Sequence, residues 1–154
     1  MSASPELDHV TAVWQNMKGN SPIYDFLLAS IRIISATKGS ITAQLTLEQP
    51  HVNSRGTIHG AVSATLVDWS GGLAIATHGM ERTGASIDIH ITYIGTAAIG
   101  DIIQVEATAN KVGRSIAFTS IRITNVTTSS MVATGSHTKY IQQATKFKEV
   151  KERS

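Results

Sequence analysis

Along the first twenty residues, apolar side chains recur every three or four positions: Val10, Val13, Trp14 and Met17 within "SPELDHVTAVWQNMKGN". That spacing predicts an amphipathic helix. Ser4 reads as its N-cap, Pro5 as its first helical residue, Glu6 and Asp8 as an acidic first turn, and Gly19 marks its end. "SPIYDFLLAS" repeats the serine–proline start and predicts a short helical turn. From about Ser30 the period changes to two. In "GSITAQLTLE", Ile41, Ala43, Leu45 and Leu47 alternate with Thr42, Gln44 and Thr46, the pattern of a half-buried strand. Residues 30–37 form its predicted partner, joined through "TKGS". The alternation returns in "ASIDIHITYI", with Ile87, Ile89, Ile91 and Tyr93 on one face and Ser86, Asp88, His90 and Thr92 on the other. Three more strands are expected in "DIIQVEATANKV", "SIAFTSIRITNV" and "MVATGSHTKYI". The segments between them, "GTAAIGD", "KVGRS" and "TTSS", read as hairpin connections.

One segment fits neither period. "HVNSRGTIHGAVSATLVDWSGG" passes from a polar turn into a helix apolar around most of its circumference. Such a helix must be buried, which places it across the concave face of a mainly antiparallel sheet. Gly71 and Gly72, with Ala61, Ser63, Ala64, Ala74 and Ala76, allow strands to approach closely. The fold class is therefore α+β, one long central helix wrapped by a curved sheet. Residues 1–29 form an N-terminal helical segment, 30–142 the main domain and 143–154 a charged tail.

The chain's 154 residues and 42% hydrophobic content suit one domain with a substantial core. Only 16% of residues are charged, which points to a surface partly covered by a partner chain. The net charge of +2 comes without a basic stripe or interleaved aromatics, so nucleic acid is not an expected partner. The absence of cysteine excludes disulfides, zinc–thiolate sites and thiol catalysis. No apolar run reaches the ~18 residues of a membrane helix. The start "MSASPELDHV" has neither a basic nor an apolar leader region. The expectation is a soluble protein, cytoplasmic or mitochondrial, with no membrane association. The six histidines are scattered and no ligand cluster appears, so no metal is expected. Dinucleotide, P-loop and Gly-x-Ser-x-Gly fingerprints are missing.

The chemistry concentrates near the long helix. Asp68 sits between Val67 and Trp69, with Leu66 before them, so the sequence predicts a buried carboxylate. Burying a charge without a structural partner is costly and points to function. Gly60 stands where the helix begins; free N–H groups and the positive end of the dipole meet there, suited to a developing oxyanion. The bland reading, a glycine that only eases the turn, is compatible. On residue type alone, Asn53 is a loop residue, Ser86 a strand serine, and His59 a turn histidine whose ring fixes the loop.

"HVNSRGTIHGAVSATLVDWSGG", "GASIDIHITYI", "KVGRSIAFTSIRITN" and "ATGSHTKYI" together resemble the PaaI-like branch of the hotdog-fold acyl-CoA thioesterases. The likeness spans residues from about 50 to 141. Ala61 departs from it, since many relatives carry a second glycine there; a methyl is tolerable in the first helical turn. The resemblance implies hydrolysis of an acyl-CoA to free acid and CoA, without a cofactor; coenzyme A enters as part of the substrate and product. It implies Asp68 as nucleophile or general base, and Asn53 as a ligand of the water or the thioester carbonyl. Ser86 would help to hold the water. His59 is kept as a base because dehydratases of this fold pair a loop histidine with a helix carboxylate. The nucleotide and pantetheine would lie along Tyr93, Ile94, Gly95, Thr96, Ala97 and Ala98 and along Lys111, Val112, Gly113, Arg114, Ser115 and Ile116, with Asp88 and Tyr140 nearby. A homodimer is implied, stacked in pairs into a homotetramer, with Asp68 of one chain facing Asn53 and Gly60 of its partner. Two other functions stay open: an acyl-thioester hydratase or dehydratase, although no glutamate stands between 49 and 80, and a non-catalytic acyl-CoA-binding protein.

Overall fold

The computed structural model describes residues 3–141, so the charged tail at 143–154 lies outside the described residues. Helix α1 spans Pro5–Met17; Ser4 caps it by accepting from the Leu7 amide at 3.1 Å. The same hydroxyl donates to the Ala36 carbonyl at 2.7 Å, which ties the cap to the sheet. A short helix, α2, covers Pro22–Leu27. Strands β1 (Arg32–Thr37) and β2 (Ser40–Thr46) form the expected hairpin. The long helix α3 runs Gly60–Ala76. Four strands follow: β3 (Ala85–Tyr93), β4 (Ile102–Val112), β5 (Ile116–Asn125) and β6 (Ser130–Tyr140).

All pairings are antiparallel, in the order β1-β2-β4-β5-β6-β3. One expected connection fails. "GTAAIGD" does not close a hairpin, because β3 pairs with β6 at the far end of the sheet and not with β4. The segment after β3 instead crosses beneath the start of α3. The Ile58 amide donates to the Ala97 carbonyl, and Thr57 bridges Ala98. "KVGRS" and "TTSS" do close hairpins. The crossover leaves β3 as an edge strand, exposed along almost its whole length.

Helix α3 is buried at every residue from Trp69 to Ala76. Its Leu66, Trp69 and Leu73 meet Ile41, Leu45, Ile103 and Ile123 of the sheet in one core, which also takes in Val10, Val13 and Trp14 of α1. Each such side chain contributes about 1.5–3 kcal/mol on burial. The close approach expected at the helical glycines is present. A Cβ on Gly71 would stand 3.0 Å from His137 Nδ1 and Thr119 Oγ1, and one on Gly72 would stand 2.8 Å from Thr83.

Candidate functional site

Asp68 differs from the sequence expectation. Its neighbours Val67 and Trp69 are buried, but its own side chain is 37% exposed. Gly60, Ala61, Ala64 and Asp68 form the one partly open stripe of α3, and Asp68 emerges along it. Oδ2 of Asp68 accepts from the Tyr24 hydroxyl of α2 at 2.7 Å. Oδ1 lies 3.7 Å from Nε2 of His137 on β6. That Nε2 is 2.8 Å from Oγ of Ser86.

Ser86 reaches this cluster through an irregularity that strict alternation cannot predict. The β3–β6 register shifts between Ser86 and Asp88. Ser86 pairs with Lys139 and Ile89 with His137, so serine and isoleucine share the face that looks at α3. Strict alternation along β3 predicts opposite faces for the two. The bulge inserts one extra residue and turns Ser86 inward.

His137 is fully buried, and its Nδ1 has no hydrogen-bond partner among the described residues. An orphaned buried N–H costs more than an orphaned lone pair, which assigns the proton to Nε2. Nε2 then donates to Ser86 Oγ, and the serine's own proton is free to point outward. Burial pushes the His137 pKa down; the Lys139 charge adds to this and Asp68 opposes it. The ring is thus neutral at pH 7, and its approach to Asp68 is not an ion pair. Unfolded histidine titrates near 6.5. Below that pH the unfolded chain binds the extra proton, so the stabilisation present above it is lost as pH falls. Urea unfolding at pH 5.0 and 7.5 should show a larger loss of stability at low pH in the wild type than in His137→Gln.

Lys139, two residues along β6, is 4% exposed. Its Nζ lies 3.2 Å from the place of a Cβ on Gly72, one helical turn past Asp68. Burial lowers its pKa against the opposing pull of Asp68. Sequence reasoning missed His137, Lys139 and Tyr24. The first two left a signal, since in a strand of period two they fall on the same face as the buried Ala133. Tyr24 left none, because its contact is tertiary.

The other residues sit at the start of α3, about two turns from Asp68. Asn53 Oδ1 accepts from the Arg55 amide (2.9 Å), the Thr57 amide (3.3 Å) and the Thr57 hydroxyl (3.2 Å). Three donors fix the amide's orientation and leave Nδ2 as its donor end. His59 is the N-cap of α3; its Nδ1 accepts from the Ala61 amide at 2.9 Å. The ring fixes the helix start, as the bland reading expected. Gly60 is the first helical residue, and its N–H has no intrahelical acceptor. Tyr93 donates to the Gly60 carbonyl at 2.9 Å, and its ring would meet any Cβ at position 60 within 3.2–3.3 Å.

Eight helical steps separate Gly60 from Asp68, about 12 Å. One chain therefore does not bring them to the same small group. The binding segments divide in the same way. Tyr93, Ile94, Gly95, Thr96, Ala97 and Ala98 lie at the Gly60 end, with the Ala97 side chain buried. Lys111 to Ile116 form the β4–β5 turn at the other end. There Ile116 pairs with Tyr140, and Tyr140 with Ala85 beside Ser86. Asp88 faces the sheet's outer side, opposite Thr138. No group of three or more potential metal ligands occurs among the described residues.

The family model described as the thioesterase superfamily matches residues 55–139. Acyl-coenzyme A thioesterase 13 of Homo sapiens is 36% identical over 118 residues, 77% of this chain and 84% of that protein. The crystal structure of zebrafish thioesterase superfamily member 2 superposes with a TM-score of 0.79 at 35% identity, over 89% of this chain and 99% of that one. A Streptococcus pneumoniae thioesterase protein solved with coenzyme A shares the fold, with a TM-score of 0.67 at 21% identity over 72% of this chain and 87% of that one.

Proposed function

The chain belongs to the thioesterase superfamily with the hotdog fold, and on that premise we propose how it hydrolyses acyl-CoA thioesters to a free acid and CoA. Asp68 acts as general base. Its Oδ1 takes a proton from a water held by Ser86, and the water oxygen bonds to the thioester carbonyl carbon. The negative charge that develops on the carbonyl oxygen is met by the Gly60 N–H and Asn53 Nδ2. As the intermediate collapses the C–S bond breaks, and the proton on Asp68 passes to the leaving sulfur. One observation carries this reading: Asp68 has one oxygen tied to Tyr24 and the other directed toward the Ser86–His137 pair.

The two half-sites belong to different protomers in this reading. β3 is an edge strand that exposes Ile87 (53%), Ile89 (40%) and Tyr93 (58%). An uncovered edge of this length is a template for pairing with a further strand. Two copies of β3 joined antiparallel about a two-fold axis place the Ser86 end of one beside the Tyr93 end of the other. Asp68, Ser86 and His137 of one protomer then face Asn53 and Gly60 of its partner. The CoA moiety lies between residues 93–98 of one chain and 111–116, Asp88 and Tyr140 of the other.

The test is thiol release from a panel of short, long and aromatic acyl-CoAs, followed by a single turnover in ¹⁸O-water. Label is expected in the released acid, and the rapidly quenched Asp68 peptide should carry no acyl adduct. An adduct there makes Asp68 the nucleophile. Loss of the enoyl-CoA double bond without thiol release would make the protein a hydratase.

A further inference from the structure

Tyr24 lies outside the matched residues 55–139. Its hydroxyl nonetheless supplies the shortest contact to Asp68, 2.7 Å to Oδ2. The ring that carries it is held by a run of aromatic contacts. Trp69, next to Asp68 on α3, meets Trp14 of α1 edge to face, with centroids 5.3 Å apart and planes at 79°. Trp14 meets Tyr24 in the same manner at 6.2 Å and 66°. Both tryptophans are buried, at 1% and 3% exposure, so the run is fixed at its root. It leaves α3 at Trp69 and returns to the same helix one residue earlier, through a hydrogen bond. Burial and the adjacent carboxylate push the Tyr24 pKa up, so the phenol stays protonated and stays the donor.

The terminal torsion of an aspartate is broad, and a half-exposed carboxylate turns readily. A charge-assisted bond to one oxygen removes that freedom. From this geometry we infer that Tyr24 is a positioning residue for the reaction. It holds Oδ2 of Asp68 so that Oδ1 alone is presented to the water beside Ser86. The N-terminal helical segment thereby acts on the chemistry, through α1 and α2. This assignment rests on Asp68 being the general base.

Tyr24→Phe keeps the ring and its contact with Trp14 and removes only the hydroxyl. It is expected to lower kcat for thiol release about tenfold with KM changed less than twofold. Tyr24→Leu loses the ring as well and should also lower the melting temperature. In the background of Asp68→Asn, Tyr24→Phe should produce no further loss. Wild-type kcat in Tyr24→Phe, with a defect only in Tyr24→Leu, reduces Tyr24 to a packing residue and overturns the assignment. So does an undiminished tenfold loss in the double variant, since Tyr24 then does not act through Asp68. Should Asp68→Asn itself turn over at the wild-type rate, the general-base reading falls and takes this one with it. An inactive Asp68→Asn beside a fully active Tyr24→Phe removes the Tyr24 assignment alone.

Discussion

Asp68→Asn is expected to lower kcat for acyl-CoA hydrolysis by about three orders of magnitude, within the 10²–10⁴ range attributed to general base catalysis. The amide matches the carboxylate in size and still offers an oxygen to the Tyr24 hydroxyl. It cannot take a proton from water at neutral pH. KM should move only a few-fold, because the donors assigned to the thioester oxygen, Gly60 and Asn53, come from the partner protomer in this reading and are untouched. Stability should change little. The carboxylate is 37% exposed and its histidine neighbour is neutral at pH 7, so the charge interaction lost is its pull on the buried Lys139. Melting curves recorded with the kinetics check this. A kcat within tenfold of the wild type in a folded variant removes Asp68 from the chemistry.

How much of this was legible in the sequence depends on which interactions are local. The amphipathic spacing of Val10, Val13 and Trp14 fixes the buried face of α1, and the structure buries those three. Apolar and small residues around most of the circumference mark α3, and the glycine at its start falls at the first helical residue. Alternation marks β2 and β3 but does not set partners. It could not show that β3 crosses to pair with β6, because edge position is decided by the whole sheet. Nor could it show the bulge at Ser86, where one extra residue reverses the facing of the serine. Asp68 illustrates a further limit. Its sequence neighbours are buried, but a helix residue one position along points about 100° away. The carboxylate therefore emerges beside Tyr24 and His137 while Val67 and Trp69 stay inside. Tyr24 was invisible for the same reason on a larger scale, since its contact spans 44 residues.

Mixing two inactive variants should restore activity, and this follows from the distance along α3. Asn53→Ala removes a donor assigned to the thioester oxygen and is expected to lower kcat by about 10² to 10³. Asp68→Asn removes the base. In a homodimer of either variant, both composite sites carry the same lesion. In a heterodimer the lesions segregate. One site combines the intact Asp68 of the Asn53→Ala chain with the intact Asn53 of the Asp68→Asn chain, and the other site carries both defects. A heterodimer isolated with two different affinity tags should therefore show about half the wild-type kcat per dimer, far above either parent. Asn53 lies before the start of α3 and Asp68 at its middle, with about 12 Å of helix between Gly60 and Asp68. A site formed within one chain would have to span that length with a thioester group of a few ångströms. Heterodimer activity no greater than the mean of the two parents would mean that each chain completes its own site. The exposed β3 edge would then need a different explanation from the shared pocket to which its Ser86 and Tyr93 ends contribute here.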